Sequence, residues 1–190
     1  MEGSQTARAS RPPLLAVGTI VWLASELMFF SGLFAAYFTL RATVRGPWPP
    51  EDVELQAGLA GLFTLLLLTS SGTIQLGVRA LEAGDRQRFR RWLVVTMVLA
   101  VLFLANQGRE WSEATFSVDS HSYGSAFFVM TGFHGLHVAG GVAAMLVLLG
   151  RARSPRFGSD DVPAVEVVSF YWHFVDVVWI ALFATLFLLK

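Results

Sequence analysis

The sequence predicts an all-α, polytopic membrane protein of five transmembrane helices, with its N-terminus inside and its C-terminus outside. Three observations predict this. Charged residues make up only 15% of the 190 residues and hydrophobic ones 54%, with a mean hydropathy of +0.56, whereas a soluble domain carries about a quarter charged residues. Five stretches are apolar and long enough to cross a hydrocarbon core about 30 Å thick at a helical rise of about 1.5 Å per residue. Arginines also alternate between the connections in the way the positive-inside rule requires. The 14 basic residues balance the 14 acidic ones, so no bulk charge recruits nucleic acid. Cysteine is absent, which excludes disulfides, thiolate metal ligands, iron–sulfur clusters and thiol nucleophiles.

The first helix is expected over about 14–40, after a polar tail, 1–13, that ends in Arg11, Pro12 and Pro13 and is expected to be cytoplasmic. It is too long for a signal-peptide core, is interrupted by Glu26 and lacks a convincing small-residue cleavage site, so it reads as a retained helix. The second helix is expected over about 55–78, the third over 92–107, the fourth over 123–149 and the fifth over 164–189. Together, 14–190 reads as one transmembrane domain. Arg8 and Arg11, then Arg79, Arg86, Arg88, Arg90 and Arg91, then Arg151, Arg153 and Arg156 fall on one side of this arrangement. Only Arg41, Arg45, Arg109 and Lys190 fall on the other, which makes the first side cytoplasmic. Gly46-Pro47-Trp48-Pro49-Pro50 reads as an extended turn, because proline disfavours helix in itself and in its predecessor. Glu51, Asp52, Glu54, Glu110, Glu113 and Asp119 make the outer connections acidic, the pattern of solvated loops.

Ionisable groups inside a bilayer are costly unless paired, hydrated or neutralised, so each is a functional candidate. Here they are Glu26 in the middle of the first helix, His134 and His137 in the fourth, and Glu166, His173 and Asp176 in the fifth. His134 and His137 are spaced i,i+3, as are His173 and Asp176, and Glu166 lies seven residues before His173 on nearly the same stripe. The two stripes are expected to face each other or the first helix. Small residues one turn apart, Gly32 with Ala36 and Gly135 with Ala139, are expected to bring helices close. Three intramembrane imidazoles are compatible with copper or b-type haem ligation, with a hydrogen-bonded network or lipid-headgroup site, or with a proton relay. An i,i+3 histidine pair does not by itself place a third ligand. Ser70, Ser71 and Thr73 read as helix-packing hydroxyls, and no nucleophilic triad or phosphate loop is present.

Several runs carry a family resemblance. The first helix holds Ser25-Glu26-Leu27-Met28-Phe29-Phe30-Ser31-Gly32-Leu33-Phe34. The fourth holds Tyr123-Gly124-Ser125-Ala126-Phe127-Phe128, Thr131-Gly132-Phe133-His134-Gly135-Leu136-His137-Val138 and Gly140-Gly141. The fifth holds Tyr171-Trp172-His173-Phe174-Val175-Asp176-Val177-Val178-Trp179, and the third ends in Gln107 and Glu110-Trp111. Over 18–189 these motifs resemble subunit III of the haem–copper cytochrome c oxidases, with greatest similarity to the aa3-type oxidase of actinobacteria. The Val17-Gly18-Thr19-Ile20-Val21-Trp22-Leu23 run leading into the glutamate belongs to that likeness.

The resemblance implies the five-helix form, which lacks the first two helices of the seven-helix mitochondrial protein. It implies two helix groups around a V-shaped cleft that holds phospholipid, in a bacterial plasma membrane. It implies a chain without its own redox centre or metal, haem a and copper being carried by partner subunits. The implied partners are oxidase subunits I and II, phospholipid and, in actinobacteria, a cytochrome bcc complex in a supercomplex. The implied role is to stabilise subunit I, hold phospholipid and support proton uptake during electron transfer from cytochrome c to O2. By motif position Glu26 matches the family's buried, proton-linked helix glutamate. His134 and His137 match its histidine pair, and Glu166, His173 and Asp176 its last-helix polar set. A quinol oxidase subunit III, a nitric oxide reductase accessory protein and an independent His-ligated membrane redox protein are the alternatives.

Overall fold

The computed structural model describes residues 14–51 and 53–189. The tail 1–13 with Arg8 and Arg11, and also Asp52 and Lys190, lie outside the described residues. Five long helices follow one another: α1 (Leu14–Thr43), α2 (Ala57–Glu82), α3 (Arg86–Glu113), α4 (Ser122–Arg151) and α5 (Val162–Phe183), the last continued by a π-helical stretch, Ala184–Leu188. All five are long and apolar enough to cross a membrane, and no strand occurs among the described residues.

The helices are longer than the spans expected from the sequence. Arg79 lies in the last turn of α2, and α3 starts at Arg86 rather than near Trp92. The arginines expected in a connection therefore sit on helical turns. Arginine is a good helix former, and the backbone gains nothing by unwinding where the bilayer ends. Asp85 caps α3 by accepting from the Arg88 backbone N–H at 2.9 Å. The link from α2 to α3 is Ala83, Gly84 and Asp85, with Gly84 in the left-handed region at φ +77°.

Helices α2, α3, α4 and α5 form an up-and-down ring in which each packs on the next and α5 closes onto α2. Helix α1 stands outside the ring against α4 and α5. Its remaining surface is apolar and exposed, as at Ile20, Val21 and Met28, the pattern of a helix facing lipid or a partner. The core centres on Trp172, fully buried, whose indole N–H donates to Ser70 of α2 at 2.8 Å. A Cβ at Gly141 would lie 2.6 Å from that indole, so this glycine sets the approach of α4 and α5.

The small residues expected to bring α1 close do not do so. Gly32 and Ala36 are exposed, and a Cβ on Gly32 would touch nothing within 4 Å. The large residues Phe30 and Tyr37 make the contact instead, both buried. Gly135 does lie at a helix contact, with its Cβ position 3.1 Å from the Gln107 amide of α3, whereas Ala139 is exposed.

One end of the bundle is aromatic. Trp48, from the turn after α1, donates its indole N–H to Tyr37 at 2.9 Å and packs edge-on against Tyr123. Tyr37 and Tyr123 in turn donate to the Thr185 and Leu186 carbonyls at 3.1 and 2.8 Å. The wider π-helical turn leaves carbonyls needing donors, and the two tyrosines supply them. The opposite end is arginine-rich and is tied by Arg86 donating to the Pro155 carbonyl at 2.7 Å and by an Arg151–Asp161 ion pair at 2.5 Å.

Candidate functional site

Glu26 lies about half-way along α1, and His137 reaches it from α4. The Glu26 Oε2 to His137 Nε2 distance is 3.0 Å. The other imidazole nitrogen, Nδ1, lies 2.7 Å from the Phe133 carbonyl. A carbonyl only accepts, so Nδ1 carries a hydrogen. The proton between Nε2 and Oε2 then sits on one partner or the other, as a neutral pair or an ion pair. The second carboxyl oxygen accepts from the Trp22 indole N–H at 3.1 Å, one helical turn away on the same face. Trp22 stacks on Tyr171 of α5 with ring centroids 5.0 Å apart and planes 8° apart. The Tyr171 hydroxyl donates to the His137 carbonyl at 2.9 Å. Three helices thus converge on one carboxyl–imidazole couple.

A second group lies between α2 and α5. The Ser71 hydroxyl bonds Asp176 Oδ2 through a short contact and stands 2.8 Å from His173 Nδ1. Ser169 approaches the other imidazole nitrogen at 3.3 Å. Ser71 therefore joins an imidazole to a carboxyl through one oxygen, a chain that can be polarised in either direction. It is not a nucleophilic triad, in which the hydroxyl would donate to a histidine held by the carboxylate. The Oδ1 atom of Asp176 is buried and without a hydrogen-bond partner among the described residues.

His134 occupies a third environment. It is fully buried, stacked on Trp179 at 4.8 Å and edge-on to Phe103 at 5.8 Å, and neither nitrogen has a hydrogen-bond partner among the described residues. An i,i+3 offset separates two side chains by about 60° around a helix, so His134 turns into the ring while His137 turns out to α1. The two histidines therefore do not share one site, and the polar stripes of α4 and α5 do not face each other: His137 meets α1, and His173 and Asp176 meet α2. Among the described residues no three His, Asp or Glu side chains come together as a metal-holding group.

Glu166 stands apart from His173. It is half-buried and lines a groove of about 480 Å³ between α1 and α5, with Thr19, Ile20, Leu23 and Phe170. At the aromatic end, Gln107 donates to the Thr131 carbonyl at 2.6 Å and Trp111 to the Thr131 hydroxyl at 3.2 Å, so the end of the third helix is tied to α4.

The roles of three participants, Ser71, Trp22 and Tyr171, are not marked in the sequence. Ser71 reads as one hydroxyl among several, and its neighbours do serve packing: Ser70 accepts from Trp172, and Thr73 pairs with Thr96 at 2.7 Å. Only its position opposite His173 distinguishes it. Trp22 was detectable in principle, since it lies four residues before Glu26. Tyr171 carries no local signal, because its partner on α1 is distant in sequence.

Comparison with known proteins agrees with the motifs. Residues 2–189 match the sequence model of the family described as cytochrome c oxidase subunit III. The chain is 50% identical to the probable cytochrome c oxidase subunit 3 of Nocardia farcinica, over 95% of this chain and 91% of that one. It is 44% identical to the cytochrome c oxidase subunit 3 of Corynebacterium diphtheriae, over 98% and 93%. It is 37% identical to that of Thermostichus vulcanus, over 94% and 89%. Five membrane-crossing helices, a carboxyl–imidazole couple between the first and fourth of them, and these relatives lead to one conclusion: the chain belongs to the cytochrome c oxidase subunit III family and is a multi-pass protein of the bacterial plasma membrane, one subunit of an oxidoreductase complex.

Proposed function

We propose that the chain is the non-catalytic subunit III of an aa3-type cytochrome c oxidase, oriented with its N-terminus in the cytoplasm. It stabilises subunit I, holds phospholipid against α1 and α5, and supports proton uptake through Glu26 and His137. Haem a and copper belong to the partner subunits. The observation that carries this reading is the 3.0 Å contact between the Glu26 carboxyl and the His137 imidazole on a helix whose outer surface is open to a partner or lipid. Such a couple accepts and releases a proton within the membrane without any change of oxidation state. The groove containing Glu166 has an apolar wall and one carboxyl, which suits an acyl chain beneath a polar headgroup. The setting we infer from the motif resemblance is a supercomplex with a cytochrome bcc complex.

The test is to solubilise membranes gently through a tag on this chain and record a reduced-minus-oxidised spectrum, then strip the chain away with harsher detergent and repeat. Haem a that copurifies and then stays wholly with the partner fraction is the expected result. Haem or copper remaining with the isolated chain would overturn the reading.

A further inference from the structure

A notch at the arginine-rich end lies outside everything described above. Two adjoining hollows, about 390 and 590 Å³, share Gln87, Arg91 and Val95 of α3. Trp92 and Arg88 border the smaller one, and Arg90, Leu149 and Arg153 the larger, which opens between α3 and α4. The floor is apolar and lies within the spanning part of α3, where Val94 and Val95 are exposed. The rim is cationic. Arg90, Arg91 and Arg153 are exposed and have no carboxylate partner among the described residues. One carboxylate, Asp85, lines the smaller hollow, where it caps α3; the larger hollow has no acid in its lining, and Asp161 holds Arg151 and the Gly158 N–H.

The geometry points to a binding site for an anionic phospholipid in this notch. Guanidinium groups at the membrane edge extend their aliphatic stems over apolar surface and keep their charge at headgroup depth. Three unpaired guanidiniums around one opening match a phosphate, which they can bind through paired N–H donors. The Val94, Val95 and Leu149 wall below receives the acyl chains, and Trp92 lies at the level where indoles mark the membrane interface. Basic pockets between helices on the cytoplasmic side recognise anionic headgroups on these grounds. A soluble anion would have no use for the apolar floor, and an acidic protein segment would leave it open to lipid. The site is on the α3–α4 face and does not depend on the subunit III reading.

The test places a photoreactive diazirine amino acid at Val95 in the full chain, purified with whatever accompanies it. The preparation is reconstituted in vesicles of equal phosphatidylcholine and phosphatidylglycerol, illuminated, and the adducts are weighed by mass spectrometry. The expected result is a several-fold excess of phosphatidylglycerol adduct. That excess falls to parity in Arg90→Gln/Arg91→Gln/Arg153→Gln and survives when the same three positions carry lysine. The single variant Arg153→Gln, which leaves α3 untouched, lowers the excess by itself and covers the case in which the triple variant fails to insert. Equal labelling by both lipids overturns the proposal, as does an excess indifferent to the arginines or an adduct to a protein segment instead of lipid.

Discussion

Glu26 of α1 and His137 of α4 meet carboxyl to imidazole across a 3.0 Å contact, and the Phe133 carbonyl fixes which imidazole nitrogen takes part. The same carboxyl holds Trp22, and the same histidine backbone holds Tyr171. A change in the couple is therefore felt on α1, α4 and α5 together.

Glu26→Gln separates the proton from the bonds. Glutamine still accepts from Trp22 and can donate to His137, so the expected loss of stability is under about 1 kcal/mol. Glu26→Ala strands both partners and is expected to cost about 1–3 kcal/mol. Neither variant, nor His137→Ala, should alter the haem spectrum of the assembled oxidase, and all three should shorten its lifetime during turnover. Spectra and activity decay under continuous turnover check this. A glutamine variant with wild-type lifetime would confine Glu26 to a structural hydrogen bond.

Ser71→Ala removes the oxygen that joins His173 to Asp176. The expected destabilisation is about 1–3 kcal/mol, since buried Asp176 and half-buried His173 lose their shared partner. In a double-mutant cycle with His173→Leu the two losses should be clearly less than additive. Thermal unfolding in detergent of the two single variants and the double variant measures this, and strict additivity would mean that the bridge carries no energy.

Gly141→Ala should destabilise by about 1–3 kcal/mol, because its Cβ would press into the Trp172 ring at 2.6 Å. Gly32→Ala, the same change one helix away, meets nothing within 4 Å and should leave stability unchanged within about 0.5 kcal/mol. Parallel melting curves decide between these outcomes.

Asp119, in the connection before α4, is fully exposed, and its carboxyl titrates below the ordinary 3.8 because the Ser117 hydroxyl donates to it at 2.6 Å. A depressed folded-state value means that the ionised form supports the turn. That support is present above pH 3.8 and disappears as the pH falls through the lowered value. Ser117→Ala should move the Asp119 midpoint upward toward 3.8, as followed by NMR of the labelled carboxyl.

Orientation is open to direct labelling because the chain has no cysteine of its own. Cysteine introduced at Ser154 should react with an impermeant maleimide only in inverted vesicles, and cysteine at Ser120 only in right-side-out ones.

The five helices were legible because a bilayer demands long apolar runs, and that demand is written locally. The buried acids and histidines were legible for the complementary reason, since each is out of place in hydrocarbon. Which of them meet was not. Glu26 and His137 are 111 residues apart, and Ser71 and His173 are 102 apart. Periodicity assigns a side chain to a face but not to a neighbour, and at i,i+3 it could not separate inward-facing His134 from outward-facing His137. The small residues of α1 misled because an outward-facing glycine and one at a helix contact look alike in a sequence.

The separation in sequence has a consequence for synthesis. Helix α1 leaves the ribosome long before α4 and α5, and its contacts with His137, Thr185 and Leu189 lie 111 to 148 residues downstream. Until they arrive it must wait in the membrane with a carboxyl at mid-depth. The Trp22 bond to Glu26 is made within α1 itself, so the carboxyl has a donor from the moment its own helix forms. The same indole that satisfies the carboxyl within α1 is the one on which Tyr171 of α5 stacks in the folded chain.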